Sequence, residues 1–417
     1  EAYTIYTNTP VGGAMRGYGI PQVCFAIESF MDDVANEIHM DPLEFRRKNL
    51  IQGYYEDAYL KPIAANTNGI FECLEKGAEY IHWDEKRKEY AEQAGDVRKG
   101  VGMALFSYKT GVWPISLEIA GARLSLNQDG SVQLMLGATE IGQGADTVFS
   151  QMVAETLHTD MEHVHIKTVQ DTDVSPFDTG AYASRQSFVT GTAVRHCAEI
   201  LRDKILAYAK TLLPEIDTRE LTLKDNWIWA GDEQAISLAA LAEESYYSLT
   251  NSSVLTAEVS EQVKKNTIAT GCCFAEVEVD IKLGKIKILH IINVHDSGKL
   301  LNPQLAEMQV HGGMSMGMGY GISEQLILDE KTGRPLNGNL LDYKLMTMLD
   351  TPDIKADFVE LCDPMGPYGN KALGEPPAIP CAPAIRNAVL HATGVAFYEN
   401  PLTPQRLIDG FKKAGLI

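Results

Sequence analysis

The chain has 417 residues, of which 45% are hydrophobic and 22% charged, and a formal net charge of −20. That length is too great for one simple core, so two or three domains of ordinary globular composition are expected. The acidic balance excludes non-specific nucleic-acid binding and attachment to an anionic membrane surface, and no apolar run approaches the ~18 residues needed to span a bilayer. The seven cysteines (Cys24, Cys73, Cys197, Cys272, Cys273, Cys362 and Cys381) form no C-x-x-C pair or Cys/His cluster. They fit a reducing cytoplasm and speak against a zinc site or iron–sulfur cluster held by this chain.

Glu1 opens directly into Ala-Tyr-Thr-Ile-Tyr, which predicts a strand over residues 3–7 and a chain that begins inside a larger protein. From Thr9 to Gly19, four glycines surround a single Arg16, leaving backbone N–H groups and a guanidinium available to an anion. Pro21 then opens a helix with Val23, Ile27, Phe30, Met31, Val34 and Ile38 expected on its buried face. Asp41-Pro42 starts a short helix through Phe45 and Leu50, and two more helical stretches are expected near residues 69–81 and 84–93. From Gly100 the pattern turns to strands. Ala122, Leu124 and Leu126 alternate, Asp129-Gly130 turns, and Val132, Leu134 and Leu136 return, a β-hairpin. It runs into a glycine-rich loop, Gly137 to Gly144, ahead of a helix with Phe149, Met152, Val153 and Leu157 inward. Such a loop is a place for an anion, but it lacks the Lys-Ser/Thr of a P-loop and the spacing of a dinucleotide fingerprint.

A polar loop of small residues, 171–187, feeds a helix over 188–212 that buries Val194, Cys197, Leu201 and Ile205. The loop suits a bulky ligand or a plain surface equally well. A second hairpin comes next, Ala275, Val277, Val279 and Ile281 turning at Leu283-Gly284-Lys285 into Ile286 and Ile288. It is expected to end in a loop, Asn293 to Gly298, before Asn302-Pro303 starts a helix with Met308, Met314, Met316 and Met318. That methionine stripe predicts close-packed core, with Gln309 and His311 as polar exceptions; neither His295 nor His311 has partners at metal-ligand spacing. Closing helices are expected over 382–392 and 404–414. The fold class is α+β: mixed β-sheets with packed helices, built from repeated hairpin–loop–helix units.

The run Lys371 to Pro377 sets one carboxylate, Glu375, between a glycine and two prolines. Glycine allows close approach of the backbone to a ligand and the prolines stiffen the adjoining turn, a setting suited to a general base.

Five motifs recur here in the order found in one family: Ala14-Met15-Arg16-Gly17-Tyr18-Gly19, Gly142-Gln143-Gly144, Ala181 to Ser187, Asn302-Pro303 with Gln309, and Gly374-Glu375-Pro376-Pro377. Together they resemble the C-terminal part of the molybdenum-binding subunit of the xanthine dehydrogenase family of molybdenum hydroxylases, most closely bacterial members built from separate subunits. The resemblance spans essentially the whole chain. It implies that residues 1–96 end a first molybdopterin-binding region and form a helical bridge, and that 97–417 are a second molybdopterin-binding domain of two similar units, 97–260 and 261–417. It implies a molybdopterin cofactor, in its cytosine dinucleotide form, whose metal is held by the dithiolene and not by a protein ligand. Arg16 and Ala183 would lie beside the metal; Gly142, Gln143, Gly144, Ser184 and Gln309 would contact the cofactor. Tyr18, Val112 and Trp113 would pack on the substrate, Tyr18 standing where the family often has Phe. Glu375 would be the base in hydroxylation of an electron-poor ring C–H by water-derived oxygen, the electrons leaving through 2Fe-2S clusters and FAD on partner subunits. The resemblance also implies the missing N-terminal half of the subunit as a partner, a small heteroaromatic substrate of the xanthine or hypoxanthine type, and a cytoplasmic setting. A hydroxylase of nicotinate, aldehydes or another heterocycle, or a non-catalytic assembly half, are the alternatives.

Overall fold

A computed structural model describes the chain except for residues 1, 2, 4, 52–54, 57–61, 64–66, 168 and 217–219. Four helices open it: α1 (Ile20–Glu37), α2 (Pro42–Asn49), α3 (Ile70–Ile81) and α4 (Trp83–Glu89), with a two-stranded ribbon of β1 (Tyr55–Glu56) and β2 (Pro62–Ile63) between α2 and α3. Asp41 caps α2 by accepting from the amides of Leu43 (2.9 Å) and Glu44 (3.2 Å), as its place before Pro42 predicts. The described residues of the 3–7 segment are irregular and exposed, not a strand.

The first helix turns its expected face outward. Val23, Ile27 and Phe30 are 53%, 47% and 62% exposed, and Ile38 is exposed too, while Cys24, Phe25, Glu28, Ser29, Asp32 and Ala35 are buried. The cause is ionic. Arg46 of α2 is buried against α1, with Nε on Glu28 (2.9 Å) and Nη1 on Asp32 (2.6 Å), and Glu28 also accepts from the Leu105 amide (2.8 Å). Buried charges must face their partners, and that requirement overrides the apolar stripe.

After these helices come the strands β3 (Val97–Lys109), β4 (Ile119–Leu126) and β5 (Val132–Leu136), then α5 (Ala145–Leu157), β6 (Val164–Ile166) and α6 (Gln186–Leu212). A small meander of β7 (Leu221–Lys224), β8 (Trp227–Ala230) and β9 (Glu233–Ser237) leads into α7 (Leu238–Tyr247) and β10 (Thr256–Gln262). The second half carries β11 (Ile268–Asp280), β12 (Lys285–Asp296), α8 (Pro303–Ile322), β13 (Asp353–Phe358), α9 (Cys381–Thr393) and α10 (Pro404–Lys413). Both predicted hairpins form, with Leu124 opposite Leu134 in the first and Val277 opposite Ile288 in the second.

Two mixed four-stranded sheets result, ordered β10-β4-β5-β6 and β13-β12-β11-β3. The helices α5 and α6 bury Phe149, Met152, Val194 and Leu201 on the first; α8 and α9 bury Met314, Met318, Ala388 and Val389 on the second. β3, which precedes the first hairpin in sequence, thus belongs to the second sheet, and Trp83 and Leu74 of the opening helices pack there as well. Residues 293–296, expected in a loop, are the end of β12, paired in parallel with β13 as far as His295 opposite Phe358. Of the methionines on α8, Met314 and Met318 are core, whereas Met308 and Met316 are exposed.

One contact decides where the catalytic candidate sits. A Cβ on Gly102 of β3 would come within 2.1 Å of the Ala388 nitrogen. The absence of that atom lets α9 lie directly on the strand, and α9 carries the Glu375 loop at its entrance.

Candidate active site

The loops gather around a cavity of about 650 Å³, lined among others by Arg16, Gly142, Gln143, Gly144, Ser184, Gln309 and Glu375. Seven residues drawn from five separate stretches of sequence are therefore brought together. Ala183 adjoins the wall, its carbonyl accepting from the Gly111 amide at 2.9 Å. Tyr18, Val112 and Trp113 do not line the cavity; Tyr18 is 73% exposed.

Four hydrogen bonds hold the carboxylate and the amide of Glu375. Its Oε2 accepts from the Tyr108 hydroxyl and from Ser184 Oγ (3.2 Å), and Oε1 accepts from the Gly17 amide (3.3 Å). Its own N–H donates to Ser184 Oγ at 2.9 Å. Gly17 has φ +98° and a Cβ there would lie 2.8 Å from Pro21, so only glycine presents this amide. Ala183 and Ser184 both take left-handed backbone angles, φ 49° each, which is strained for non-glycine residues and aims the serine hydroxyl at the carboxylate.

The loop itself is pinned from below. Lys371 Nζ, fully buried, donates to Asp296 Oδ2 at 2.8 Å and to the Thr67 carbonyl at 3.0 Å. Asn293 Nδ2 donates to the Pro377 carbonyl at 3.0 Å. Arg16 closes the near side, with Nε on the Gly374 carbonyl (2.6 Å) and Nη2 on the Gln309 carbonyl (2.8 Å) and Oε1 (3.3 Å). Burial lowers the Arg16 pKa, opposed by the Glu375 charge nearby. Burial and the Glu375 carboxylate together push the Tyr108 phenol far above its ordinary range, so it stays a donor.

The glycine-rich loop departs from expectation. The amides of Gly142 (2.7 Å), Gly144 (3.1 Å) and Asp146 (3.0 Å) donate to the Glu140 carboxylate, an internal anion at the start of α5. Gln143 instead donates to Gln186 Oε1 (2.7 Å) and the Thr139 carbonyl (2.8 Å). Against the cost of burial, those backbone donors hold the Glu140 carboxyl below the usual carboxylate range. A depressed folded pKa contributes stability above the unfolded value, and that stability is lost as pH falls through the folded one. Glu140→Gln is therefore expected to lower the melting temperature at pH 7, and the gap to wild type should shrink below about pH 4. Thermal melts at both pH values check it.

A second buried network fixes the neighbouring loops. Arg185, fully buried, bonds Glu118 Oε2 (2.5 Å), Asp178 Oδ1 (2.6 Å), and the carbonyls of Gly180 and Ile119 (2.9 Å each). Glu118 in turn accepts from the Val112 amide at 2.6 Å. Neither histidine joins the cavity wall. His295 packs against Phe106, where burial pushes its pKa down to about 3, and His311 lies near Glu307 on α8 (3.8 Å). Among the described residues no cluster of three or more His, Cys, Asp or Glu is placed to hold a metal ion, and no helix is long and apolar enough to cross a membrane.

Sequence reasoning missed Tyr108, Glu118, Asp178, Asp296 and Glu140. Tyr108 reads only as an alternating strand residue, and its partner lies 267 positions away. Glu140 had a local signal, a carboxylate two residues ahead of Gly142 in a loop opening a helix.

Residues 76–352 and 1–50 each match the model of a molybdopterin cofactor-binding domain. The chain is 49% identical, over 99% of its length, to the xanthine dehydrogenase molybdenum-binding subunit of Escherichia coli O157:H7, and covers 55% of that protein. It is 27% identical to the nicotine 6-hydroxylase large subunit of Paenarthrobacter nicotinovorans, covering 97% of this chain and 52% of that one. The fold is shared with quinoline 2-oxidoreductase from Pseudomonas putida 86, at a TM-score of 0.87 and 24% identity over 96% of this chain and 53% of that one. The chain thus spans about half the length of the relatives it matches. With two cofactor-binding matches and that kinship, the chain belongs to the molybdopterin cofactor-binding family, among the molybdenum-binding subunits of the xanthine dehydrogenase family.

Proposed function

We propose that this chain is the cofactor-binding part of a purine hydroxylase acting on xanthine or hypoxanthine, with Glu375 as the base. The observation that supports it is the Glu375 carboxylate at the cavity wall, gripped by Tyr108, Ser184 and Gly17 with no cation bonded to it among the described residues. A carboxylate so placed can take up a proton from a group bound in the cavity.

The wall fits an organic cofactor. Beside the Glu375 carboxylate, its polar groups include amides and hydroxyls (Gln143, Gln186, Gln309, Asn302, Ser184) and the cationic side chains of Arg16, Arg185, Lys299 and Lys371, suited to the ring edges and phosphates of a pterin nucleotide, and about 650 Å³ is within the usual range for such ligands. When bound, the molybdenum cofactor supplies the redox centre that takes two electrons from the ring carbon. Arg16 and Ala183 flank that centre, Gln143 and Gln309 hold the cofactor edge, and the cofactor is the cytosine dinucleotide form. Glu140 occupies the amides of Gly142 and Gly144, so in this reading the loop meets the cofactor through Gln143 and not through those amides. Tyr18, Val112 and Trp113 complete the substrate wall outside the present cavity. The assembly is cytoplasmic, with the remaining half of the molybdenum subunit and partners carrying 2Fe-2S clusters and FAD. Residues 97–417 form the second cofactor-binding domain in this reading, its two sheets the repeated unit.

The kinship to a nicotine 6-hydroxylase large subunit favours a second reading, a hydroxylase of another heterocycle. Turnover of the assembled enzyme with xanthine, hypoxanthine, nicotinate, nicotine and an aromatic aldehyde separates the two. The purine reading expects the highest kcat/KM on xanthine or hypoxanthine; a tenfold or greater preference for a pyridine or aldehyde overturns it.

A further inference from the structure

We propose that Tyr108 is a positioning residue for Glu375, holding the carboxylate's proton-accepting oxygen in one orientation through its hydroxyl. The inference rests on Glu375 being the base, and it names a residue that neither the sequence motifs nor the family match singles out.

Tyr108 is buried on β3, opposite Ala269 of β11, in a small apolar cluster with Cys24, Phe106, Ala269, Ala372 and Ile379. Ala372 and Ile379 flank the Glu375 turn on either side, so ring and turn are packed as one body. A ring locked this way has no rotameric freedom to carry its hydroxyl elsewhere. The hydroxyl ends on Glu375 Oε2, the same oxygen that accepts from Ser184. Among the described residues Oε1 has only the longer contact with the Gly17 amide, 3.3 Å. Two donors on one oxygen and one weaker donor on the other fix the plane of the carboxylate and leave Oε1 the less encumbered proton acceptor.

A buried phenol in need of any partner would give the same picture for structural reasons alone, so the test must reach beyond stability. The charged groups that line the cavity with the carboxylate are Arg16, Arg185, Lys299 and Lys371, and the Tyr108 hydroxyl of β3 bonds it directly. Lys371 is neutralised by Asp296. Tyr108→Phe keeps the ring and removes only the donor. In the assembled enzyme it should lower kcat roughly tenfold to a hundredfold, the worth of a hydrogen bond to a charged group, with KM little changed.

A second measurement needs no cofactor. With tyrosine labelled at ¹³Cζ, the Tyr108 resonance, assigned by its loss in Tyr108→Phe, should keep its phenol position up to about pH 11 in the wild-type chain, beyond the ordinary tyrosine range. In Glu375→Gln it should begin to titrate at lower pH than in wild type. Wild-type titration near the ordinary tyrosine value of about 10 overturns the hydrogen bond. A Tyr108→Phe enzyme with unchanged kcat, or one whose loss falls on KM and leaves kcat alone, overturns the positioning role even if the bond is present. Failure of the base assignment looks different. It would show as a Glu375→Gln enzyme that still turns over, whatever the Tyr108 resonance does.

Discussion

Glu375→Gln should bind molybdenum as the wild type does and lose turnover by about 10²–10⁴-fold, the usual cost of removing a general base. The substitution is close to isosteric, and the amide oxygen can still accept from Tyr108 and Ser184 at the Oε2 position. The NH₂ then faces the Gly17 amide, which sits 3.3 Å from Oε1, so a donor meets a donor there and the turn loses one weak contact. That is a small structural cost, and the pinning by Lys371, Asn293 and Arg16 is untouched. What disappears is the ability to accept a proton. Metal analysis of the purified assembly together with kcat on its best substrate checks both halves; turnover near wild type would refute the assignment.

Arg185→Met should cost about 3–5 kcal/mol of stability, the largest loss expected from a single side chain outside the reaction itself. The guanidinium is wholly buried and bonds two carboxylates, Glu118 at 2.5 Å and Asp178 at 2.6 Å, that are themselves buried. Removing it leaves both without their cation in a low-dielectric interior, which is far more costly than the loss of the pair's own net attraction. The damage should spread along the hydrogen bonds. Glu118 positions the Val112 amide at 2.6 Å, and Asp178 accepts from Thr190 Oγ1 at 2.7 Å on α6. Chemical denaturation of the single variant and of Arg185→Met combined with Glu118→Gln tests the cause. The double variant should recover part of the loss because one stranded charge is gone. A single variant as stable as wild type would show that the carboxylates find other compensation.

These two residues illustrate different degrees of legibility. Gly374 and the proline pair drew attention to Glu375, but they are equally compatible with a surface turn, and the order of five motifs resembling one family made it the candidate base. Arg185 lay within a stretch already suspected as a ligand loop, yet nothing in the sequence said that it would be buried, since its partners are 67 and 7 positions away. The opening helix shows the limit most directly. Its periodicity gave a correct helix and an incorrect buried face, because Glu28 and Asp32 had to turn towards Arg46.

The sequence by itself determined the α-helices other than α7, both hairpins and the α+β class, and it carried five motifs in the order that resembles one family. The helices and hairpins depend on periodicity and turn chemistry within a few positions, where local sterics and hydrogen bonding decide. Only the tertiary structure decided that β3 crosses to the second sheet, that α9 lies flush on Gly102, and that Glu140 takes the amides of the glycine-rich loop. It also decided that Tyr108 reaches Glu375 across 267 residues. Those outcomes depend on which distant surfaces can approach closely and which buried charges need partners, and neither property is carried by a short stretch of chain.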